Sequence, residues 1–415
     1  MDGSRRNTFL IVGGNLTAGA AATTLRSEGF DGRIVIVGEE PHPPYERPPL
    51  SKDYLRGESK ADDTLLHPRS WYDEADVELR LGVRARDLDP AERTVGLEDG
   101  ERIPFDRMLI ATGGRNRGLA VPGHDLVGIF DLRRIEDADR IRDEASAGRK
   151  AVIVGAGFIG SEVAASFRQL GVEVEVIEFF AAPLLRVLGP EVAKVYEAIH
   201  RDQGVRFHFG EAVASFQGDG RVEAVVTDKG TRVAGDFVVV GVGIQPNVEW
   251  LEGSGIDLDN GVIVDEFCRT NVEGVYAAGD VANHWHPIFV RRMRVEHWDN
   301  ALKQGAAAAR NMMGVDSVFD DPHWFWSDQY RHNLQYLGYA PDWDRLVIRG
   351  SLEERKFVAF YLSGGVVKAV AGLDRGKDVR RSAGLIRARR PFDPALLRDE
   401  DVDLKNLASQ AAEGV

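Results

Sequence analysis

The sequence predicts an α/β protein: two parallel-sheet modules, followed by a C-terminal α+β interface domain. Three observations carry that reading. Residues 151–178, AVIVGAGFIGSEVAASFRQLGVEVEVIE, run in the order strand, glycine turn, helix, strand. The segment from Thr8 to Glu39 repeats that order with changes, and from about Trp326 the pattern turns to short alternating strands. Gly155, Gly157 and Gly160 stand at G-x-G-x-x-G spacing between the first strand and the helix, the arrangement of Rossmann-like dinucleotide-binding domains. The glycines provide a tight turn, close backbone approach to a pyrophosphate, and close helix–strand packing, and the helix amides face the phosphates. Glu178 ends the next strand about twenty residues on, where a carboxylate binds a ribose 2′-hydroxyl. Phe179, Phe180 and Ala181 follow it, with no Arg or Lys to neutralise a 2′-phosphate, which favours NAD over NADP.

The earlier module starts with a strand over residues 8–12. Gly13, Gly14, Asn15, Leu16, Thr17 and Ala18 follow it, with Asn15 in place of the second glycine and Ala18 in place of the third. Alanine is an accepted variant there, and asparagine tolerates left-handed backbone better than most residues. A helix over 20–26 and a strand over 34–37 lead to Glu39, at the ribose-binding position, with Glu40 the weaker alternative. Each module then carries short alternating strands, at 77–86 and 93–97 in one and at 205–209 and 221–226 in the other. Each ends on an apolar strand running into glycine, at 108–113 and 237–243. Two such modules imply two dinucleotides. Residues 274–280, GVYAAGD, put Asp280 at a strand end and close the first module, and 262–264 returns the chain to it. The expected domains are therefore 1–118 with 244–325, an inserted 119–243, and 326–415. The last domain carries strands at 345–350, 356–362 and 366–371, a basic helix at 378–390, a short helix after Pro394, and a fraying end at 408–415.

Composition narrows the class. A formal charge of −14 over 415 residues argues against nucleic acid or an anionic membrane as a general partner. No apolar run reaches the roughly 18 residues of a membrane span. The basic N-terminal residues lead into a strand and glycine turn, not a secretory signal, so a cytoplasmic protein is expected. The single cysteine, Cys268, excludes an internal disulfide and a cysteine-based metal site. His284, His286 and His297 are irregularly spaced without companion ligands, so surface or ligand-side roles are expected and no metal.

Several stretches resemble the flavoprotein ferredoxin reductases that serve bacterial haem monooxygenases and aromatic-ring dioxygenases, within the wider glutathione-reductase-like class that includes apoptosis-inducing factor. They are PYERPPLSK at 44–52, LIATG at 109–113, residues 155–162, GVGIQPN at 241–247, YAAGDV at 276–281, VEHW at 295–298 and WFWSDQ at 324–329. The resemblance covers nearly the whole chain. It implies FAD in the first module, NADH in the second and a third domain covering the flavin.

Position by position, the resemblance places Gly13, Asn15, Thr17 and Ala18 at the FAD pyrophosphate, Glu39 on the adenosine ribose and Arg47 near the adenine. Val83 meets the adenine by its backbone, and Arg133 is a further FAD contact. Asp280 takes the ribityl chain, while Glu296, His297 and Trp298 reach the pyrimidine end of the isoalloxazine. Ala111, Thr112 and Gly113 join the FAD site, and Phe158, Ile159, Gly241, Val242 and Gly243 join Gly155–Gly160 at NAD. Trp326, with Trp324, either lines the flavin edge or packs in the third domain. Lys52 and Glu162 are implied beside flavin N5. There the lysine stabilises negative charge on the reduced flavin, and Glu162 holds the lysine and positions the nicotinamide carboxamide. Glu162 also suits a helix first turn, where the dipole favours an acid.

Relatives with thiol chemistry need cysteines beside the flavin, and residues 40–52 contain none. The implied activity is hydride transfer from NADH to FAD, then single electrons to a small acidic ferredoxin of the 2Fe–2S type or similar. A quinone or rubredoxin reductase, or a redox-sensing interaction protein, are the alternatives; the chain is expected as a monomer or homodimer. Arg291, Arg292 and Arg294, with Arg387, Arg389 and Arg390, are either a docking surface for the ferredoxin or solvated faces.

Overall fold

The computed structural model describes residues 7–413 and divides them into two units. The first contains the chain up to Glu46 with Ala61–Arg115 and Ile244–His323; the second contains Arg47–Lys60, Asn116–Gly243 and the chain from Trp324. The division differs from three domains in two respects: the C-terminal segment belongs to the same unit as the insertion, and so does Arg47–Lys60.

In the first unit five parallel strands lie in the order Val275–Ala277, Arg107–Ile110, Thr8–Val12, Arg33–Gly38, Val77–Leu81. Val12 pairs with both Val37 and Ile110, and Ala277 with Ile110, so these strands end level with one another. The inner strands Thr8–Val12 and Arg33–Gly38 are largely apolar on both sides because both faces are covered. Phe9, Ile11, Ile34, Ile36 and Leu109 pack with Ala18, Ala21 and Leu25 of the helix Leu16–Ser27 and with Ala308 of the helix Trp298–Met312. Leu10, Val12, Val35, Val37 and Met108 meet Leu88, Val95, Leu97 and Ile103 of an antiparallel sheet. The alternating run 77–86 thus splits: its first half, Val77–Leu81, is an edge strand of the parallel sheet, and the antiparallel sheet starts at Ala85.

The second unit repeats the scheme, with parallel strands in the order Arg206–Phe209, Glu173–Glu178, Lys150–Val154, Phe237–Val240, Ile129–Asp131. Its C-terminal part is a five-stranded antiparallel sheet, Trp324–Gln329, His332–Gly338, Val366–Leu373, Lys356–Ser363, Arg345–Ser351. Phe325, Tyr336, Phe357 and Tyr361 of that sheet pack on Leu188, Val192, Tyr196 and Ile199 of the helix Leu185–Asp202. That helix bends at Gly189, whose φ of 72° is left-handed; a Cβ there would lie 2.5 Å from the Trp343 ring.

Two C-terminal expectations change. The basic helix 378–390 is two short helices, Gly376–Arg381 and Ala383–Arg387, meeting at Ser382. The Ser382 hydroxyl bonds back to the Asp378 carbonyl at 2.8 Å, the local competition that interrupts helices at serine. The fraying end is instead the helix Leu404–Glu413, anchored by buried Leu404 and Ala408; residues 414 and 415 lie outside the described residues.

Candidate active site

In both units the parallel strands deliver their motifs to one edge, where α/β sheets bind ligands. In the second unit Gly155 has φ 96°, and a Cβ on it would lie 2.4 Å from the Gly241 carbonyl oxygen. A Cβ on Gly160 would lie 2.0 Å from the Gly155 carbonyl oxygen, so the helix Phe158–Gln169 can sit this close only on glycine. Gly157 has nothing within 4 Å of its Cβ position, and no side chain caps the helix. Its first amides therefore face open space of the kind a pyrophosphate fills. Glu178 sits beside this turn, with Oε2 accepting from Ala156 N at 2.5 Å and Oε1 from Phe180 N at 2.8 Å. Exposed Ile159 (46 %), Val242 (37 %) and Phe179 (65 %) supply apolar surface in this motif set. The Phe158 ring packs on Phe325 at 4.7 Å, at the first residue of this helix.

In the first unit Gly13 has φ 120°, with the Ala111 carbonyl oxygen 2.0 Å from its Cβ position. Asn15 caps the helix Leu16–Ser27 in extended backbone, φ −105°, so left-handed tolerance is not what asparagine supplies. Gly279, with φ 78°, abuts Thr17, whose Oγ1 would lie 2.3 Å from a Cβ. Asp280 lies in the short turn Gly279–Val281 at the end of Val275–Ala277. Beneath it Gln304 Oε1 accepts from Gly279 N at 2.8 Å, while Gln304 Nε2 is buried without a partner among the described residues. His297 precedes the helix Trp298–Met312, and burial pushes its pKa down to about 4, so its ring is neutral near pH 7. Thr112 and Asn247 clasp each other: Thr112 Oγ1 donates to the Asn247 carbonyl at 2.8 Å, and Asn247 Nδ2 to the Thr112 carbonyl at 2.9 Å. Val83 N donates to the Gly38 carbonyl at 3.0 Å, and Glu39 is paired with Arg84.

Lys52 and Glu162 meet within the second unit. Proline at 48 and 49 sets the short helix Pro48–Ser51, and Lys52 Nζ then reaches Glu162 Oε2 at 2.9 Å and the Pro48 carbonyl at 3.1 Å. Their side chains are 12 % and 4 % exposed. Ser51 Oγ donates to Glu162 Oε2 at 2.5 Å and Ser327 Oγ to Oε1 at 2.6 Å, so three side-chain donors converge on one carboxylate. The arrangement continues inward: Gln329 Nε2 donates to Ser327 Oγ at 3.1 Å, and Gln329 Oε1 is 2.8 Å from His200 Nε2. Tyr330 OH lies 3.1 Å from His200 Nδ1. Ser51, Ser327, Gln329 and His200 carry no signal in their spacing that marks them as functional, although WFWSDQ contains two of them. Trp324 and Trp326 stack on each other at 5.3 Å, and Trp326 Nε1 donates to Asp328 at 3.0 Å. Arg47 donates to the Arg133 carbonyl, bringing those two expected FAD contacts together.

Burial pushes the His200 pKa down to about 4, against a hydrogen bond to Gln329 Oε1 that raises it. The unfolded chain binds this proton near pH 6.5 and the folded one near 4, so stability is full above about pH 6.5 and falls as pH drops toward 4. The loss should be on the order of 3 kcal/mol. Urea midpoints measured from pH 7 to 4 should show it, and His200→Gln should reduce the slope in that window by one proton's share, His297 still contributing its own; an unaltered slope would mean His200 is not buried neutral.

Cys268 is fully buried in the turn after Val262–Val264, with left-handed φ 62° and its thiol pushed up by burial. His284 and His286 are not surface residues: both are buried, and His323 joins them, so the expectation that they lack companions does not hold.

Two glycine-built nucleotide turns, a buried lysine–carboxylate pair and no thiol beside it define a pyridine-nucleotide flavoprotein oxidoreductase. Residues 7–305 match the model of the pyridine nucleotide-disulphide oxidoreductases and 324–408 that of the reductase C-terminal domain, and the chain belongs to this family. It is 39 % identical over 402 residues to the ferredoxin–NAD(+) reductase component of the anthranilate 1,2-dioxygenase system of Burkholderia cepacia, covering 96 % of this chain and 98 % of that one. It is 35 % identical to putidaredoxin reductase CamA of Pseudomonas putida, over 98 % and 97 % of the two chains. The reductase in the crystal structure of the covalent putidaredoxin reductase–putidaredoxin complex superposes with a TM-score of 0.94 at 34 % identity, over 98 % of this chain and 99 % of that one. The protein is thus an oxidoreductase that uses FAD and NAD(H).

Proposed function

We propose that the chain is an NADH-dependent ferredoxin reductase that supplies single electrons to a small acidic 2Fe–2S ferredoxin serving an oxygenase. The observation that carries the reading is the Lys52–Glu162 pair, in a chain whose one cysteine is sealed in the core. Bound FAD supplies the conversion of a two-electron hydride into single electrons. The chain's part is position and charge. Gly13, Asn15, Thr17, Ala18 and Asp280 hold the flavin nucleotide, with Glu39, Arg47, Val83 and Arg133 toward its adenosine. Ala111, Thr112, Gly113, Glu296, His297 and Trp298 surround its ring, and Trp326 edges it. Gly155, Gly157, Ile159, Gly160 and Glu178, with Gly241, Val242 and Gly243, hold NADH. Lys52 presents a cation to the reacting ring, and Glu162, braced by Ser51 and Ser327, fixes the lysine. Residues 1–118 and 244–325 form the FAD domain, 119–243 the NAD domain and 326–415 the interface domain. Among the described residues no helix is long and apolar enough to cross a membrane, and the reading places the enzyme in the cytoplasm.

The test is NADH oxidation by purified protein against ferredoxins of the same organism, alongside FAD release on denaturation. One FAD per chain and turnover with a ferredoxin are expected; folded protein that neither holds nor regains FAD sinks the reading. Cys268→Ser should leave flavin reduction and ferredoxin delivery intact, and loss of reoxidation in a folded variant would restore a thiol mechanism.

Docking needs local positive charge against the net field. Arg291, Arg292, Arg387 and Arg389 are exposed and suit that purpose. Arg294 does not: its side chain is buried, donating to the Asp280 carbonyl at 3.1 Å and paired with Glu296 at 2.7 Å. Reversing Arg291 and Arg292, or Arg387 and Arg389, to Glu should slow ferredoxin reduction about tenfold at low salt and weaken its salt dependence. Hydride transfer without ferredoxin should keep its rate. Unchanged ferredoxin turnover in both variants would place the docking face elsewhere.

A further inference from the structure

The first unit contains a group of side chains that the redox reading does not use. His284 and His286 lie two apart on the strand Ala282–His286, so both project from one face. Met293 pairs directly opposite His284 on the antiparallel strand Arg291–Arg294. His323 completes the group, with Nε2 3.2 Å from Met293 Sδ. The ring centroids of the three histidines are 4.7 to 5.6 Å apart, and one nitrogen of each lies within 4.8 Å of the others. All four side chains are buried, with Phe289 and Phe319 against the rings.

Two ordinary explanations for buried histidine do not cover this group. Apart from the backbone of Ala282, which acts on His284, neither nitrogen of that ring has a hydrogen-bond partner in good geometry among the described residues, and Nδ1 of His323 has none. Leaving such groups dry and unpaired costs about 1–3 kcal/mol each. Nor do Phe289 and Phe319, packed against the rings, offer these nitrogens an acceptor or a donor. Neutral imidazole is the metal-binding form. His286 Nε2 lies 3.0 Å from the Asp321 carbonyl, a bond of the kind that orients a ligating imidazole, and its Nδ1 lies 3.3 Å from Ile288 N.

We propose that His284, His286, His323 and the Met293 thioether form a buried binding site for a soft monovalent transition-metal cation, copper(I). Three imidazoles and a thioether are a soft donor set without a carboxylate, which suits copper(I) better than zinc or iron(II). Metal–nitrogen bonds of about 2.0 Å place trigonal nitrogens about 3.5 Å apart, so each nitrogen moves by less than about 1 Å to close on the ion. The ion would tie the hairpin of Ala282–His286 and Arg291–Arg294 to the segment entering at His323.

Tag-free holoprotein would be desalted after anaerobic exposure to copper(I) held by a competing chelator, and separately to zinc(II), and the retained metal counted per chain. One equivalent of copper(I) is expected, with a sulfur and nitrogen shell in its X-ray absorption spectrum. Met293→Leu, which conserves volume, should weaken retention about tenfold, and His284→Phe with His323→Phe should abolish it, while NADH still reduces the flavin. No retained copper overturns the proposal, and so do retention of zinc alone, equal retention in the variants, or a spectrum without sulfur. The spectrum of the unaltered protein decides the matter even if the double variant fails to fold.

Discussion

Lys52→Met should slow reduction of the bound flavin by NADH about 10²-fold, the scale of removing one preorganised charge partner from a reacting group. The side chain is 12 % exposed and held at two points, by Glu162 at 2.9 Å and the Pro48 carbonyl at 3.1 Å, so its ammonium is fixed before substrate arrives. Methionine fills the volume without the charge. It also leaves Glu162 buried with only the Ser51 and Ser327 hydroxyls, and stability should fall by up to about 3 kcal/mol. The double variant Lys52→Met with Glu162→Gln separates the two effects: it should regain much of the lost stability, because no uncompensated charge is left, but none of the rate. Lys52→Arg keeps charge in a broader, planar group and should fall between. Rapid mixing with NADH under anaerobic conditions reads the rate, and thermal melts read stability. A Lys52→Met enzyme that retains FAD and reacts within twofold of the parent would remove Lys52 from the reaction.

NADH should outperform NADPH by about 10²-fold in the same rapid-mixing measurement. A carboxylate about 5 Å from a 2′-phosphate, in surroundings of effective dielectric about 20, costs roughly 3 kcal/mol. Beside the ribose role proposed for it, Glu178 holds the amides of Ala156 and Phe180 with its two oxygens. Glu178→Ala should therefore flatten the preference and also loosen the glycine turn, at about 1–3 kcal/mol; Glu178→Gln keeps an acceptor and should flatten it with less damage. The residues directly after Glu178 lack a cation, but Arg186 lies over the Phe180 ring at 5.1 Å. Whatever NADPH activity Glu178→Gln gains should shrink again when Arg186→Ala is added. Equal use of both nucleotides by the unaltered enzyme would refute the role of Glu178.

The parallel sheets and their turns were legible because their cause is local. Gly155, Gly160 and Gly13 are required by backbone atoms a few residues or one strand away, and the strands are apolar on both faces. The antiparallel C-terminal sheet was half legible: Ser363, Gly364 and Gly365 marked one turn, whereas Trp324–Gln329 and His332–Gly338 mix aromatic, polar and charged residues. The Lys52–Glu162 pair came from motif resemblance, since no periodicity links residues 110 apart. Ser327 and His200 were hidden for the same reason, as polar residues whose meaning lies in partners distant along the chain. His323 shows the converse. His284 and His286 stand two apart in the sequence, but the strand that puts them on one face, the third histidine and the methionine are supplied only by the fold, so the group could not be read from spacing.

The carboxylate of Glu162 has a timing consequence during synthesis. Ser51, 111 residues earlier, is available when Glu162 leaves the ribosome, but Ser327 follows 165 residues later. At about 5–20 residues per second, the nascent chain spends roughly 8–33 s with that oxygen facing water. Strand Trp324–Gln329 therefore seals the carboxylate only near the end of translation, and a ribosome stalled before Ser327 would carry a nucleotide module whose central acid is still wet.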